Sequence, residues 1–254
     1  MKKLRDFTCD ENIFITCNMQ LVIFAGGFGT RISEETDYVP KPMVKIGKKP
    51  ILWHIIKYYS VFGFSKFIIC GGYKIHVIKD YFKKLNYHKT WNIKVIDTGK
   101  NSNTGERLKR VKKYINNTFC LTYGDGLSNV DINKLINFHK KKKSLVTLTT
   151  VKPTPHFGKI IFKGSKVIKF LEKDQKKENW INGGFFVCEK KIFNYLNKQN
   201  TIFESDTLNF LAKKKKLSAY KHNDFWYCMD TLRDKRHLNT LWSSKKAPWK
   251  IWDE

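Results

Sequence analysis

The sequence predicts an α/β fold: a doubly wound, mostly parallel sheet with helices on both faces and a smaller antiparallel layer beside it. Three observations predict it. Short continuous apolar runs at 21–25, 67–70 and 118–122 alternate with amphipathic helical stretches, the pattern of strands buried on both faces. Each of these runs ends in a glycine-containing turn, as strand ends facing a ligand crevice do. The 254 residues can bury one sizeable core, so a single large domain is expected.

The first strand runs straight into Gly26-Gly27-Phe28-Gly29-Thr30-Arg31. Glycines at this density let the backbone take φ > 0 and come close to a ligand. Successive amides in such a turn can cradle a phosphate chain, and a helix start adds partial positive charge. Arg31 closes the loop with a planar, permanently charged donor. Lys41 follows between Pro40 and Pro42, which restrict the backbone on both sides. The loop lacks the lysine of a Walker A, and Ile32 stands where a dinucleotide fingerprint needs its third glycine. A plain strand-turn is the alternative reading.

Further along, Ile51, Leu52, Ile55, Ile56, Tyr59 and Phe62 recur at helical spacing, with Pro50 at the start. A strand at 67–70 ends in Gly71-Gly72, a helix follows over 75–85, and a strand at 93–97 ends at Thr98-Gly99. Thr104 is expected to cap a helix bearing Leu108, Val111 and Ile115. The strand at 118–122 ends in Tyr123-Gly124-Asp125-Gly126, Asp131 caps the next helix, and 145–151 is another strand. The later half changes character. Short strands at 157–162, 167–171 and 180–187 suggest an antiparallel layer over the crevice. Helices near 192–197 and 205–215, a strand at 225–230 and a helix over 231–242 complete the chain. The glycine loop, Asp97–Gly99 and Gly124–Gly126 are all strand-end features and should converge on one crevice.

Composition narrows the function classes. Hydrophobic content of 41% and aromatic content of 15% exclude a disordered chain. The formal charge of +27 fits either a nucleic-acid or membrane-surface protein, or a lysine-rich surface around a site for anionic substrates. The lysine runs at 140–143 and 213–216 fall at helix ends, where cations complement the dipole, and favour the second reading with no nucleic-acid or membrane partner. The six cysteines lack metal-ligand spacing, and Cys70, Cys120 and Cys188 read as small buried thiols. No apolar run approaches the ~18–20 residues of a membrane span, and 1–18 has no signal-like apolar core, so a cytoplasmic protein is expected. Met19 opens the first strand. Residues 1–18 are therefore read as an N-terminal extension that need not be native, and 19–254 as one domain.

Two acids stand out. Asp125 lies between two glycines at a strand end, where it can either shape a tight turn or hold a metal ion with phosphate oxygens. Asp230 ends a late strand and opens a helix, as an N-cap or as a second metal ligand. Two carboxylates on one Mg²⁺ would suit a triphosphate substrate.

Phe24-Ala-Gly-Gly-Phe-Gly-Thr-Arg31, Pro40-Lys-Pro-Met43 and Tyr123-Gly-Asp-Gly126 stand in an order that resembles the sugar-phosphate nucleotidyltransferase family. Ser33-Glu-Glu-Thr36, Ile181-Asn-Gly-Gly-Phe-Phe186, Met229-Asp-Thr-Leu-Arg-Asp234 and Lys246-Ala-Pro-Trp-Lys250 narrow the resemblance to its glucose-1-phosphate cytidylyltransferase branch, from about Met19 onward. The resemblance implies a Rossmann-like nucleotidyltransferase fold of the GT-A type, whose antiparallel layer binds sugar. It implies transfer of a cytidylyl group from CTP to α-D-glucose 1-phosphate, giving CDP-glucose and pyrophosphate for deoxysugar, O-antigen or polysaccharide synthesis.

On that resemblance Arg31 and Lys41 are the catalytic cations. Phe24, Ala25, Gly26, Gly27, Phe28, Gly29 and Thr30 surround the nucleotide, joined by Thr104, Arg107 and Gly124. Asp125 and Asp230 hold Mg²⁺. Glu172 and Lys173 contact the sugar phosphate, although Asp174 replaces the proline that usually follows, and Asn182-Gly183 faces the sugar. For Thr104 and Arg107 a helix cap and a surface charge are the plain alternatives; for Asn182-Gly183 it is a strand bulge. The segment 83–90 is shorter than in the family, where it packs subunits and reaches a neighbouring site. A homo-oligomer is expected, with the family's higher oligomer in doubt. The same chemistry with UTP, dTTP or another sugar 1-phosphate is the near alternative, and a basic nucleic-acid-binding protein or a catalytically idle sugar-nucleotide sensor the distant ones.

Overall fold

The computed structural model describes residues 16, 18–85, 90–153, 159–171, 180–196 and 199–253. Strand β1 (Gln20–Ala25) leads through the glycine loop into a 3₁₀ turn, Thr30–Ile32, and a single helical turn, α1 (Ser33–Thr36). A second 3₁₀ turn, Lys41–Met43, precedes the small ladder of β2 (Lys45–Ile46) and β3 (Lys49–Pro50). Then come α2 (Ile51–Val61), β4 (Lys66–Gly71), α3 (Ile75–Lys84), β5 (Asn92–Asp97), α4 (Thr104–Arg110), β6 (Phe119–Tyr123) and β7 (Gly126–Ser128). Helix α5 (Ile132–Lys142) and β8 (Val146–Val151) follow, then the hairpin of β9 (Lys159–Lys163) and β10 (Lys166–Leu171), and β11 (Ile181–Cys188). After a 3₁₀ segment, Lys190–Tyr195, and a π-helical turn, Phe203–Leu208, the chain closes with α6 (Asn209–Lys213), β12 (Leu217–His222), β13 (Trp226–Cys228) and α7 (Leu232–Ser243).

Seven strands form the main sheet in the order β12-β8-β11-β6-β1-β4-β5. Strand β1 lies between β4 and β6 and is parallel to both. Its side chains alternate between two cores. Leu21, Ile23 and Ala25 join α2, α3 and α5 on one face, while Val22 and Phe24 join Leu108, Phe203 and Leu211 on the other. This alternation is why the run reads as continuously apolar: both faces of the strand are covered.

The sheet is thus the predicted doubly wound one, with two corrections. The strand expected at 180–187 is not part of a separate layer. It is β11, inserted antiparallel between β6 and β8, so of the three strands expected in that layer only β9 and β10 form a detached antiparallel pair. Edge strand β12 was not expected; its half-exposed sequence Leu217-Ser-Ala-Tyr-Lys-His222 lacks the apolar run that marked the central strands. The expectations placed on residues 1–15, 17, 86–89, 157–158, 172–179 and 197 lie outside the described residues.

Candidate active site

The chain leaves β1 for β4 and β5 on one side and returns as β6 on the other. The carboxyl ends of β1 and β6 therefore border a crevice at the point where the winding reverses. The Gly124 amide donates to the Phe24 carbonyl at 2.9 Å, and a Cβ on Gly124 would lie 2.9 Å from that oxygen. The two strand ends are therefore closed against each other. Two chambers open from this seam. One, of about 490 Å³, lies between the glycine loop and the stretch Lys100–Thr104. The other, of about 290 Å³, lies toward β11 and β13. Arg31, Tyr123 and Asp125 line both.

In the first chamber the loop differs from its sequence reading in a useful way. Only Gly29 takes a positive φ, +70°. Gly26 is small for another reason: a Cβ there would sit 2.0 Å from the Arg107 guanidinium. The helix start expected after the loop is a 3₁₀ turn and one turn of α1, so the loop and Arg31 line the chamber with no long helix behind them. Arg107 is 4% exposed, not the surface charge its sequence position allows. Its guanidinium donates to the carbonyls of Gly26 (2.9 Å), Gly99 (2.8 Å), Gly71 (3.2 Å) and Lys100 (3.2 Å) and to Thr98 Oγ1 (2.9 Å). Those acceptors come from the ends of β1, β4 and β5, so one buried cation fixes the predicted convergence of the loop with Asp97–Gly99. Its planar fork suits five diverging acceptors as no other side chain does. Burial lowers its pKa, yet an arginine remains charged. Thr104 is the first residue of α4, not its cap, which is Asn103.

Lys41 is 8% exposed, and its Nζ stands 2.6 Å from Asp125 Oδ2 and 2.6 Å from Asp230 Oδ1. Arg31 Nη1 lies 2.8 Å from Asp230 Oδ2, while its own side chain is 72% exposed. A backbone ladder brings the two acids together. Strand β13 pairs antiparallel with β7, and the Met229 amide donates to the Asp125 carbonyl at 2.9 Å. Asp230 is not the N-cap of α7. Thr231 is, in a reciprocal capping box with Asp234, and this leaves the Asp230 carboxylate free to face Lys41. Burial opposes the charge on Lys41, but the Asp125 and Asp230 carboxylates outweigh it and raise the pKa. For Asp230 burial is likewise outweighed, by Lys41 and Arg31, and the carboxyl is held below its ordinary value.

Oxygens of Asp125 and Asp230 and the Cys228 sulfur lie within 4.8 Å of one another. Two carboxylates converging where a lysine ammonium already sits suit a hard divalent cation. The Cys228 thiol is pushed up by burial and by Asp125, so it stays protonated beside them.

In the second chamber, Asn182 and Gly183 line the wall beside Trp226, whose Nε1 donates to the Gly183 carbonyl at 2.7 Å. The strand bulge expected as the plain alternative is present: the register of β11 against β8 shifts here, Gly184 has φ +78°, and Asn182 Oδ1 accepts from the Gly184 amide. Glu172 and Lys173 fall outside the described residues. Sequence reasoning missed Glu204, which lines the first chamber and accepts hydrogen bonds from Thr104 and Tyr123, and gave no role to the Tyr123 side chain. Glu204 sits in a π turn with no local motif to announce it.

The chain matches the nucleotidyl transferase family over residues 20–237. It is 44% identical over 257 residues to a glucose-1-phosphate cytidylyltransferase of Salmonella typhimurium, covering 92% of this chain and 100% of that one. To a D-glycero-alpha-D-manno-heptose 1-phosphate guanylyltransferase of Campylobacter jejuni it is 31% identical over 224 residues, covering 87% and 98%. The solved structure of HddC from Yersinia pseudotuberculosis superposes with a TM-score of 0.70 at 26% identity, covering 88% of this chain and 99% of that one.

Proposed function

This chain belongs to the nucleotidyl transferase family, and from that membership we propose that it transfers a cytidylyl group from CTP to α-D-glucose 1-phosphate, releasing pyrophosphate. Two observations carry the reading: the relative that gives the substrate names aligns over its whole length, and Lys41 meets Asp125 and Asp230 within hydrogen-bond distance beside the glycine loop.

A phosphate oxygen of the sugar phosphate attacks the α-phosphorus of the triphosphate. A new P–O bond forms, the α–β anhydride bond breaks, and the electron pair leaves on pyrophosphate. The nucleophile is already an anion near neutral pH, so positioning and charge neutralisation are the protein's tasks. The Gly26–Thr30 amides receive the polyphosphate. Exposed Arg31 follows the leaving pyrophosphate, and buried Lys41 turns from the two acids to a phosphate oxygen at the reacting centre. Asp125 and Asp230 would hold a divalent cation, which we read as Mg²⁺, supplying Lewis-acid stabilisation of phosphoryl charge. Asn182 and Gly183 receive the sugar. The same reading takes 19–254 as one nucleotidyltransferase domain working in a homo-oligomer, which light scattering of the purified chain would measure.

Pyrophosphate release with CTP, UTP, dTTP and GTP against glucose 1-phosphate and Mg²⁺ tests the substrates. CTP is expected to lead. Equal turnover with all four would overturn the base assignment, and no turnover with any would overturn the enzyme.

A further inference from the structure

A hydrogen-bonded chain crosses the seam between the two chambers. Asn182 Nδ2, in the second chamber, donates to the Tyr123 hydroxyl at 3.2 Å. Tyr123 donates in turn to Glu204 Oε1. From the first chamber, Thr104 Oγ1 donates to Glu204 Oε2 at 2.6 Å and accepts the Phe203 amide at 2.9 Å. Every hydroxyl has both a donor and an acceptor, so the directions are mutually consistent. Burial and the Glu204 charge push the Tyr123 phenol up, which keeps it a donor.

The middle of this chain is held firmly. Glu204 follows Phe203, which is fully buried and packs edge-on against Phe24 (centroids 6.3 Å apart) and Phe186 (5.6 Å). The π turn that aims Glu204 is pinned at its start, where the Ile202 amide donates to Asp206 Oδ2 at 2.8 Å. The start of α4 is laced to the same stretch through Asn103, whose amide donates to Asn200 Oδ1 at 2.9 Å. A carboxylate in a chamber that receives a polyphosphate would repel that ligand. Here both its oxygens take hydroxyl donors, Thr104 from the first chamber and Tyr123 from the seam between the two.

We propose that Glu204 is a positioning residue that couples the nucleotide and sugar-phosphate chambers, so that a change on one wall is felt by the substrate on the other. It acts through Thr104 and Tyr123 rather than by touching the reacting atoms. The inference rests on the two-substrate reading above.

The test is crosswise. Thr104→Val removes the donor on the nucleotide side, and Asn182→Ala removes the donor to Tyr123 on the sugar side. The Michaelis constants for CTP and for glucose 1-phosphate are measured for each variant. With coupling through Glu204, each variant raises the constant of the remote substrate as well as its own, by about threefold to tenfold, the range of coupled pairs. Glu204→Gln raises both constants while kcat falls less, and in that background the remote effects of the other two changes disappear. If Thr104→Val moves only the CTP constant and Asn182→Ala only the glucose 1-phosphate constant, the coupling is refuted. Those two variants keep Glu204, so they decide the matter even where Glu204→Gln does not fold. A wild-type chain that turns over neither substrate would instead sink the reading on which the inference rests.

Discussion

The two chambers are built by different means. The first is largely backbone: a glycine loop after β1, held from beneath by Arg107 through carbonyls at three strand ends. The second is largely side chains, contributed by the ends of β6, β11 and β13. Backbone close to a ligand needs glycine at fixed local spacing, so the first chamber is written in consecutive residues. Side chains that converge need only the right strand neighbours, so the second is scattered along the chain.

The largest expected effect comes from the two acids, Asp125 at the seam of both chambers and Asp230 in the second alone. Asp125→Asn or Asp230→Asn should cost about a thousandfold in kcat, in the range of lost electrostatic stabilisers. Nucleotide binding without metal, followed by calorimetry, should persist. An unchanged kcat would remove the metal assignment.

Lys41 sharpens the comparison because it joins the acids of one chamber to the loop of the other. Lys41→Met should lower kcat about a hundredfold. It should also tighten Mn²⁺ binding in the absence of nucleotide, read by electron paramagnetic resonance, since the ammonium no longer occupies the space between the carboxylates. Weaker Mn²⁺ binding in the variant would contradict this.

A third change strikes the first chamber alone. Arg107→Lys keeps the charge but cannot reach five diverging acceptors. Buried carbonyls left unpaired should cost about 2–3 kcal/mol in denaturant unfolding and raise the nucleotide KM. Metal affinity should not move.

A control touches neither chamber. His54 is fully buried, with Nε2 facing the Ile46 carbonyl and Nδ1 accepting from Trp249 Nε1, an arrangement that requires the neutral ring. Burial lowers its pKa to about 4. Between that value and the ordinary 6.5 the unfolded chain binds the extra proton. Stability from this group is therefore complete above 6.5 and falls as pH drops toward 4, by about 3 kcal/mol in all. Unfolding midpoints across about pH 7 to 4.5 should show the slope in the parent chain and lose most of it in His54→Gln. The smallest effect is Thr231→Ala, which removes the cap of α7 and should cost about 1 kcal/mol.

Much of the architecture was legible because the strands and helices that carry it are strongly periodic. Strands β1, β4 and β6 are covered on both faces and read as apolar runs, and α2 shows its apolar stripe. Edge strand β12 and the pairing of β7 with β13 were not legible, although β13 itself lies inside the strand expected at 225–230. The first has no apolar run, and the second is three residues a side. At the site, Thr104 and Asp230 were both legible as helix-end residues and both misplaced by one position. A cap depends on which side chain wins the first free amide, and at α7 the Thr231–Asp234 box wins it.

Sequence alone determined the winding of the sheet, the glycine loop and the pair of acids worth watching, because each is a matter of local spacing and residue type. Only the tertiary structure decided that Lys41 reaches acids 84 and 189 residues away, that Arg107 turns inward to hold the loop, and that Glu204 stands between the chambers. Those contacts follow from which strand ends lie side by side. Strand order is a property of the folded sheet, and no local spacing carries it.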